Sequence, residues 1–220
     1  MLVQIYETTT PEEASALGRL GVDHIGVLVG DGSFPRERTI DHARLILSAI
    51  PPSSKGSALL LTSDVRLIER VISELKPAIL HLGASTDLLA ASTVRYLKKH
   101  APLTVMRSIP VVDDESISVA KTYDGIADIL LLDSHRSGDR QIGALGKTHS
   151  WELDRKIVES VRIPVFIAGG LGPDNVLDAI TAVQPAGVDS KSKTDKDDGS
   201  HTKDLEKIRR FVARAKLRQK

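Results

Sequence analysis

The stretch Pro164-Val165-Phe166-Ile167-Ala168-Gly169-Gly170-Leu171 is an apolar run that ends in two adjacent glycines. A short apolar run bounded by glycine predicts a buried strand followed by a turn. Residues 173–182 come next, and their apolar spacing is that of a helix. The stretch therefore predicts one strand–loop–helix unit, with the glycines at the carboxyl end of the strand.

The same pattern recurs along the whole chain of 220 residues. The other predicted strands are residues 2–6, 24–29, 58–61, 78–82, 103–106, 128–132 and 187–189. The other predicted helices are residues 11–20, 39–49, 64–75, 86–99, 114–123, 152–161 and 203–216. Eight such units predict an α/β fold, a single (β/α)8 TIM barrel over residues 1–220. An open doubly wound sheet is the alternative, but it usually has fewer strands at this length.

The composition agrees with such a barrel and excludes several classes of function. Aromatic residues are only 3% of the chain, so Leu, Ile, Val and Ala must build the core. The 30 basic and 29 acidic residues give a net charge of +1, which favours neither a nucleic-acid nor a membrane partner. The absence of cysteine excludes disulfides, thiolate nucleophiles and cysteine-bound metals. With no signal-peptide pattern and no long apolar run, we expect a cytoplasmic protein.

Two glycine-containing segments belong to the last two predicted strands, Ala168-Gly169-Gly170-Leu171 and Gly187-Val188-Asp189-Ser190. Glycine lets the backbone approach an anion, and free N–H groups bind phosphate. The glycines could instead only form a tight turn, but TIM barrels often bind phosphate after these two strands, which favours a phosphate site. By contrast, the segment from Gly143 to Thr148 is no P-loop, because Gln141 stands where that motif needs its first glycine.

Three other side chains are candidates for a site. Asp133 follows the apolar residues 129–132, so it should point into the barrel mouth and could serve as a general acid, a helix cap or a salt-bridge partner. Arg36 follows the second strand and could clamp a substrate carboxylate or lie on the surface. His81 lies within a strand and is predicted to be a core residue with satisfied hydrogen bonds. No histidine pair has metal-ligand spacing, so no metal is predicted.

Together these motifs resemble the phosphoribosylanthranilate isomerase family over nearly the whole chain. The resemblance is strongest in the C-terminal half, where the motifs have the order and spacing of the family. The matching segments there are Leu131-Leu132-Asp133-Ser134, Gly143 to Thr148 with Trp151, Pro164 to Leu171, Asn175-Val176 and Gly187-Val188-Asp189-Ser190. In the N-terminal half the best matches are Gly21-Val22-Asp23 and Phe34-Pro35-Arg36.

The resemblance implies an intramolecular aldose–ketose isomerase that performs the Amadori rearrangement of a phosphorylated aminosugar in tryptophan biosynthesis. It also implies no cofactor and a monomer or a homodimer. Asp133 matches the family's general acid, which protonates the ribose ring oxygen as the ring opens, and Arg36 matches the arginine that holds the anthranilate carboxylate. The residues that match the phosphate-binding end are Gly169, Gly170, Asp189, Ser190 and Ser192.

The chain departs from the family at the first strand. The family has Lys-Ile-Cys-Gly there, with the cysteine as general base, whereas this chain has Gln4-Ile5-Tyr6-Glu7. Tyr6 is a poor base at neutral pH because the ordinary pKa of tyrosine is near 10, so Glu7 is the predicted substitute. His81 is displaced by one residue from the family's histidine, which on a strand predicts the opposite face. Ser192-Lys193 replaces the family's Ser-Gly, although Lys191 or Lys193 could add positive charge.

Replacement of the cysteine leaves two further interpretations. The chain could be a divergent paralogue that binds phosphate and catalyses a different phosphosugar reaction. It could also be a non-catalytic barrel that binds a phosphosugar. The sequence further leaves open whether residues 191–199 form an ordered lid or a mobile loop.

Overall fold

A computed structural model describes residues 1–100, 103–136, 138–143 and 150–217. Eight parallel strands form a closed barrel in chain order, in which the first strand pairs with the last. The strands are β1 Leu2–Ile5, β2 His24–Leu28, β3 Lys55–Leu60, β4 Ile79–Leu82, β5 Thr104–Val111, β6 Ile129–Ser134, β7 Val165–Ile167 and β8 Gly187–Ser190. The predicted TIM barrel is confirmed.

An α-helix follows each strand and covers the outside of the barrel. The helices are α1 Pro11–Arg19, α2 Ile40–Ser48, α3 Val65–Leu75, α4 Ala91–Lys99, α5 Glu115–Tyr123, α6 Trp151–Ser160, α7 Val176–Val183 and α8 Leu205–Ala215. A short 3₁₀ helix, Ser192–Thr194, lies between β8 and α8. Among the described helices, none is both long and apolar enough to cross a membrane.

Alternation of side chains along the strands builds two separate cores. Outward residues pack against the helices; in β4 these are Leu80 and Leu82. Inward residues fill the barrel, which is therefore a packed core and not a pore. The inner cluster consists of Ile79, Met106, Ile129, Leu131, Phe166 and Ala168.

β5 is longer than the predicted strand over residues 103–106, and it pairs with β6 as far as Val111. The prediction stopped early because Arg107 and Ser108 interrupt the apolar run. Arg107 is nevertheless fully buried, and its Nη1 donates to the carbonyl oxygens of Leu82 and Ala84, each at 2.7 Å. Local hydrophobicity could not show that Arg107, a buried cation, binds the loop that follows β4.

Helices α4 and α7 begin later than predicted, because hydrogen bonds hold the preceding residues in turns. Before α4, the N–H of Ser85 donates to the carbonyl oxygen of Arg140 at 2.7 Å. Before α7, the side-chain oxygen of Asn175 accepts from the N–H of Gly172 at 2.8 Å, and its amide donates to the carbonyl oxygen of Gly170. The turn at Asn175 thereby fixes the glycine loop after β7.

Candidate active site

A cavity of about 290 Å³ opens at the carboxyl ends of the strands. All the predicted site residues line it, although they come from distant parts of the chain. They are Tyr6, Glu7, Arg36, Asp133, Gly169, Gly170, Asp189, Ser190 and Ser192. Parallel strands present their carboxyl ends at one face of the barrel, which is why these residues meet. No group of three His, Asp or Glu side chains in the described residues could hold a metal ion.

Asp133 lies near the end of β6 with its carboxylate in the cavity. Its Oδ1 accepts hydrogen bonds from the N–H of Ser134 at 2.7 Å and from the Ser134 hydroxyl at 3.3 Å. Gly143 has a φ of +89°, and a Cβ there would come within 2.1 Å of Asp133 Oδ2. Glycine is therefore needed at position 143 for the carboxylate to fit. Residues 144–149 of the predicted Gly143-to-Thr148 motif lie outside the described residues.

Tyr6 fills the barrel mouth just after β1 and is only 3% exposed. Its ring packs on Gly26, where a Cβ would lie 1.9 Å from the nearest ring atom. Its hydroxyl lies 2.5 Å from Ser57 Oγ and 2.8 Å from His81 Nδ1. Burial raises the pKa of Tyr6 well above its ordinary value, and the nearby charge of Asp189 adds to the rise. The phenol of Tyr6 therefore stays un-ionised at neutral pH and cannot act as a general base.

His81 points into the barrel beneath the cavity and is 1% exposed. Its Nε2 lies 2.7 Å from Ser108 Oγ, so both ring nitrogens have partners, as predicted for a core histidine. Burial, together with the charge of Arg107, lowers the pKa of His81 to about 3. Ser57, His81 and Ser108 thus form a neutral hydrogen-bonded row with Tyr6. The sequence could not reveal this row, because Ser57 lies outside the predicted third strand and Ser108 lies outside the fifth.

Glu7 is held in a three-membered ion cluster. Its carboxylate accepts from Arg36 Nε at 2.5 Å and Arg36 Nη2 at 3.3 Å, and Lys191 Nζ lies 2.7 Å away. Burial opposes the charge of Glu7, but Lys191 and Arg36 outweigh it and hold the pKa below its ordinary value. A carboxylate stabilised in this way is a weak base, so the structure argues against the predicted role of Glu7.

Asp189 lies in β8 with its carboxylate inside the barrel mouth, and the residue is 7% exposed. Among the described residues, no hydrogen-bond partner reaches its Oδ1. Burial raises the pKa of Asp189 to about 8, and the charge of Asp133 adds to the rise, while Gln4, Lys203 and Lys191 oppose it. The predicted contact of Asp189 with phosphate stays a prediction.

Ser190 is also predicted to contact phosphate, but its hydroxyl is engaged elsewhere. The hydroxyl donates to the carbonyl oxygen of Leu171 at 2.6 Å, and the side chain is buried. The carbonyl oxygen of Ser190 accepts from the N–H of Tyr6 at 3.1 Å. Ser190 therefore positions the glycine loop and closes β8 on β1.

Gly169 and Gly170 form the opposite wall, with φ values of +80° and +67°. Two consecutive residues in this region favour glycine and expose the backbone to the cavity. Ser192, at the start of the 3₁₀ helix, lines the same wall. Lys193 packs on Gly172 and lines a neighbouring cavity, whereas Lys191 belongs to the main cavity.

The segment between β8 and α8, residues 191–204, folds back onto the barrel, and we call it the strap. Asp195 and Lys203 form an antiparallel bridge. The buried Nζ of Lys203 donates to Asp195 Oδ1 at 2.6 Å and to the carbonyl oxygen of Tyr6. His201 Nε2 lies 3.2 Å from Arg36 Nη1. The strap therefore joins the end of the chain to the Tyr6 side of the mouth.

Comparisons with known proteins agree with this architecture. The family model of N-(5'-phosphoribosyl)anthranilate isomerase matches residues 58–214. The enzyme of that name from Methanocella arvoryzae is 34% identical over 216 residues, which cover 98% of each chain. A solved isomerase from Thermotoga maritima, described as monomers made from a dimeric enzyme, is 23% identical with a TM-score of 0.81, over 98% of each chain. Another, in complex with reduced 1-(o-carboxyphenylamino)-1-deoxyribulose 5-phosphate, is 23% identical with a TM-score of 0.78, again over 98% of each chain.

The closed barrel and the cavity at the carboxyl ends of its strands define a TIM barrel with a candidate active site at its mouth. The structural matches show the shared fold. The family-model match and the Methanocella relative show more: the chain belongs to the phosphoribosylanthranilate isomerase family.

Proposed function

We propose that this chain is a phosphoribosylanthranilate isomerase of tryptophan biosynthesis. Its substrate is N-(5'-phosphoribosyl)anthranilate, which an Amadori rearrangement converts to 1-(o-carboxyphenylamino)-1-deoxyribulose 5-phosphate without a cofactor. One observation carries the proposal: in a barrel of this family, a single cavity joins Asp133 to the wall made by Gly169 and Gly170.

Asp133 is the general acid of the proposed reaction. The N–H and hydroxyl of Ser134 orient Oδ1, and the absence of a side chain at Gly143 leaves space beside Oδ2. A carboxyl group at the mouth of the cavity can protonate the ribose ring oxygen while the bond from that oxygen to C1 breaks. The anilino nitrogen supplies the electron pair that forms the iminium ion.

The substrate phosphate lies against Gly169, Gly170 and Ser192. Positive φ values bring the two glycine backbones to the cavity surface, where N–H groups can face an anion. Lys191 supplies positive charge within the same cavity. Ser190 contributes through its hydroxyl, which holds the carbonyl oxygen of Leu171.

Arg36 holds the anthranilate carboxylate. Its side chain remains 29% exposed, although Glu7 accepts from Nε and Nη2 and His201 Nε2 lies 3.2 Å from Nη1. An incoming carboxylate binds at the exposed edge formed by the two Nη groups. Guanidinium and carboxylate match in planar geometry and in charge. The ligand in the solved relative, a carboxyphenylamino sugar phosphate, carries the two anionic groups that Arg36 and the glycine wall are proposed to bind.

The second candidate is a barrel that binds a phosphosugar but does not catalyse the family's reaction. Such a barrel is either inactive or catalyses a different reaction. Tyr6 favours it, since the phenol stands where the family has its cysteine and cannot ionise at neutral pH. Turnover of freshly prepared phosphoribosylanthranilate, followed by loss of its fluorescence, separates the candidates. We expect turnover by the wild type and a loss of about 10²–10⁴-fold in Asp133→Asn.

Asp113→Asn is the matched control, because Asp113 lies at the same end of the barrel, is exposed and does not line the cavity. It should keep the wild-type rate. Saturable binding of the reduced product analogue without turnover would favour the binding barrel. The absence of both turnover and binding would contradict the substrate assignment.

A further inference from the structure

We infer that Asp189 is the general base that removes the C2 proton of the opened sugar. This inference rests on the proposed function and supplies the base that the first strand lacks. In the family, the cysteine at the first strand performs this proton transfer. In this chain we assign the transfer to the carboxylate of Asp189 on β8.

The first argument is position. Asp189 pairs in register with Gln4, two residues before Tyr6, and the N–H of Tyr6 donates to the next residue, Ser190. Asp189 and Tyr6 line the same cavity, and the charge of Asp189 contributes to the raised pKa of Tyr6. Asp189 is thus an ionisable group on the side of the mouth where the family has its base.

The second argument is the free oxygen. Asp189 Oδ1 is buried without a hydrogen-bond partner in the described part of the chain, and the residue lines the cavity. Glu7, by contrast, has both oxygens in ion pairs with Arg36 and Lys191. A buried polar atom without a partner is costly, and a catalytic role is one recognised reason for a protein to retain it.

The third argument is the surrounding charge. The groups that act on Asp189 are the carboxylate of Asp133 on β6, the side chain of Gln4 on β1, and Lys191 and Lys203 from the segment after β8. The phenol of Tyr6, just after β1, lines the same cavity. Burial and Asp133 prevail and raise the pKa of Asp189 to about 8. A base is most effective when its pKa lies near the working pH. His81 fails this requirement because its pKa is about 3 and both its nitrogens are occupied.

The proton transfers balance. In the reacting form the two carboxyl groups hold one proton, which lies on Asp133 while Asp189 is ionised. Asp133 gives this proton to the ring oxygen as the C1–O bond breaks and the nitrogen lone pair forms the C1=N iminium bond. Asp189 then takes the proton from C2, the C2–H electron pair forms the C1=C2 bond, and the C1=N pair returns to nitrogen. The resulting enol loses its O2 proton to solvent while Asp189 returns a proton to C1, which gives the ketone. Asp133 regains a proton from solvent.

Exchange at C1 of the product isolates the step that Asp189 performs. The product 1-(o-carboxyphenylamino)-1-deoxyribulose 5-phosphate is incubated with enzyme in D2O, and loss of its C1 proton signals is followed by NMR. Asp189→Asn should slow this exchange by about 10²-fold or more while still binding the reduced analogue. Asp113→Asn, the exposed control, should keep both the exchange and the full reaction.

The wild type provides a second measurement that needs no variant. Because Asp189 must be ionised to act, the exchange rate should rise about tenfold per pH unit below pH 8 and level off above it. A flat profile from pH 6 to pH 9, or exchange at the wild-type rate in Asp189→Asn, would overturn the role of Asp189 and leave the isomerase function intact if turnover persists. Binding of the analogue without turnover or exchange in the wild type would overturn both.

Discussion

The phenol of Tyr6 occupies the barrel mouth as a packing and hydrogen-bonding group. In Tyr6→Phe, we expect kcat/KM to stay within about tenfold of wild type, because the hydroxyl takes no proton in the proposed reaction. Stability should fall by about 1–3 kcal/mol, since Ser57 Oγ and His81 Nδ1 lose a buried partner. Urea unfolding and a kinetic assay at pH 7 test this. A loss of activity above 10²-fold with unchanged stability would make the phenol a catalytic group.

Asp189 also gives the fold a pH dependence. Its pKa is about 8 when folded and near 3.8 when unfolded, so the folded state binds the extra proton between these values. Stability from this group is therefore full below about pH 4 and is lost as pH rises toward 8, at up to about 1.4 kcal/mol per pH unit. The variant Asp189→Asn, whose side chain stays neutral, should be more stable than the wild type at pH 8.5. Its stability relative to the wild type should be lower at pH 5 than at pH 8.5. Thermal melts at both values test this, and an equal shift at both would contradict it.

At the scale of single residues, sequence reasoning located the site better than the contacts within it. Asp133 and the Gly169–Gly170 pair were placed in the cavity because position at a strand end is a local property. The pairing of Glu7 with Lys191 was not predictable, since it depends on how the segment after β8 folds over β1. The buried state of Asp189, which raises its pKa, likewise depends on neighbours far away in the chain.

Among the elements, β5 carries the clearest structural device. Arg107 donates to the carbonyl oxygens of Leu82 and Ala84 and lies over the ring of Tyr123, so it fastens the loop after β4. Arg107→Met should destabilise the protein by about 2–5 kcal/mol, because these buried acceptors lose a charged donor. Hydrogen exchange should quicken first at Ser85 and its neighbours.

Arg70→Met is the matched control, since Arg70 is 63% exposed and pairs with Glu74 along helix α3. That variant should change stability by less than about 1 kcal/mol. Equal losses in the two variants, measured by urea unfolding, would remove the special role of Arg107. The comparison also explains why β5 was predicted too short, because a buried cation with carbonyl partners looks like a loop residue in the sequence.

For the whole molecule, the strap after β8 secures the closure of the barrel. Lys203 is buried, binds Asp195 and reaches the carbonyl oxygen of Tyr6, whereas the nearby Lys207 pairs with the exposed Asp197. Lys203→Met should cost about 3–5 kcal/mol because it leaves Asp195 buried without its partner, and Lys207→Met about 0–1 kcal/mol. Chemical unfolding measures both, and similar small losses would show that the strap adds little to closure.

The overall architecture was predictable because it follows from repetition. Eight strand–helix units, read from local apolar spacing, specify a closed barrel and the face on which its site lies. The starts of α4 and α7 were misplaced because single hydrogen bonds decide them. Ser85 donates to Arg140 in another loop, and the side chain of Asn175 binds Gly170 and Gly172 in its own loop. The fold is thus encoded by periodic patterns, whereas the site depends on single long-range contacts.

Closure of the barrel by its first and last strands has a consequence for how the protein is made. The contact of Lys203 with Tyr6 spans 197 positions, and β1 pairs with β8 along its whole length. A growing chain therefore holds its first strand without a final neighbour until nearly all of it has left the ribosome. Asp133 on β6 is synthesised earlier, but it meets Asp189 only when the last unit docks. Almost the whole chain must be translated before the complete site can form. A premature stop codon late in the messenger RNA therefore removes the site.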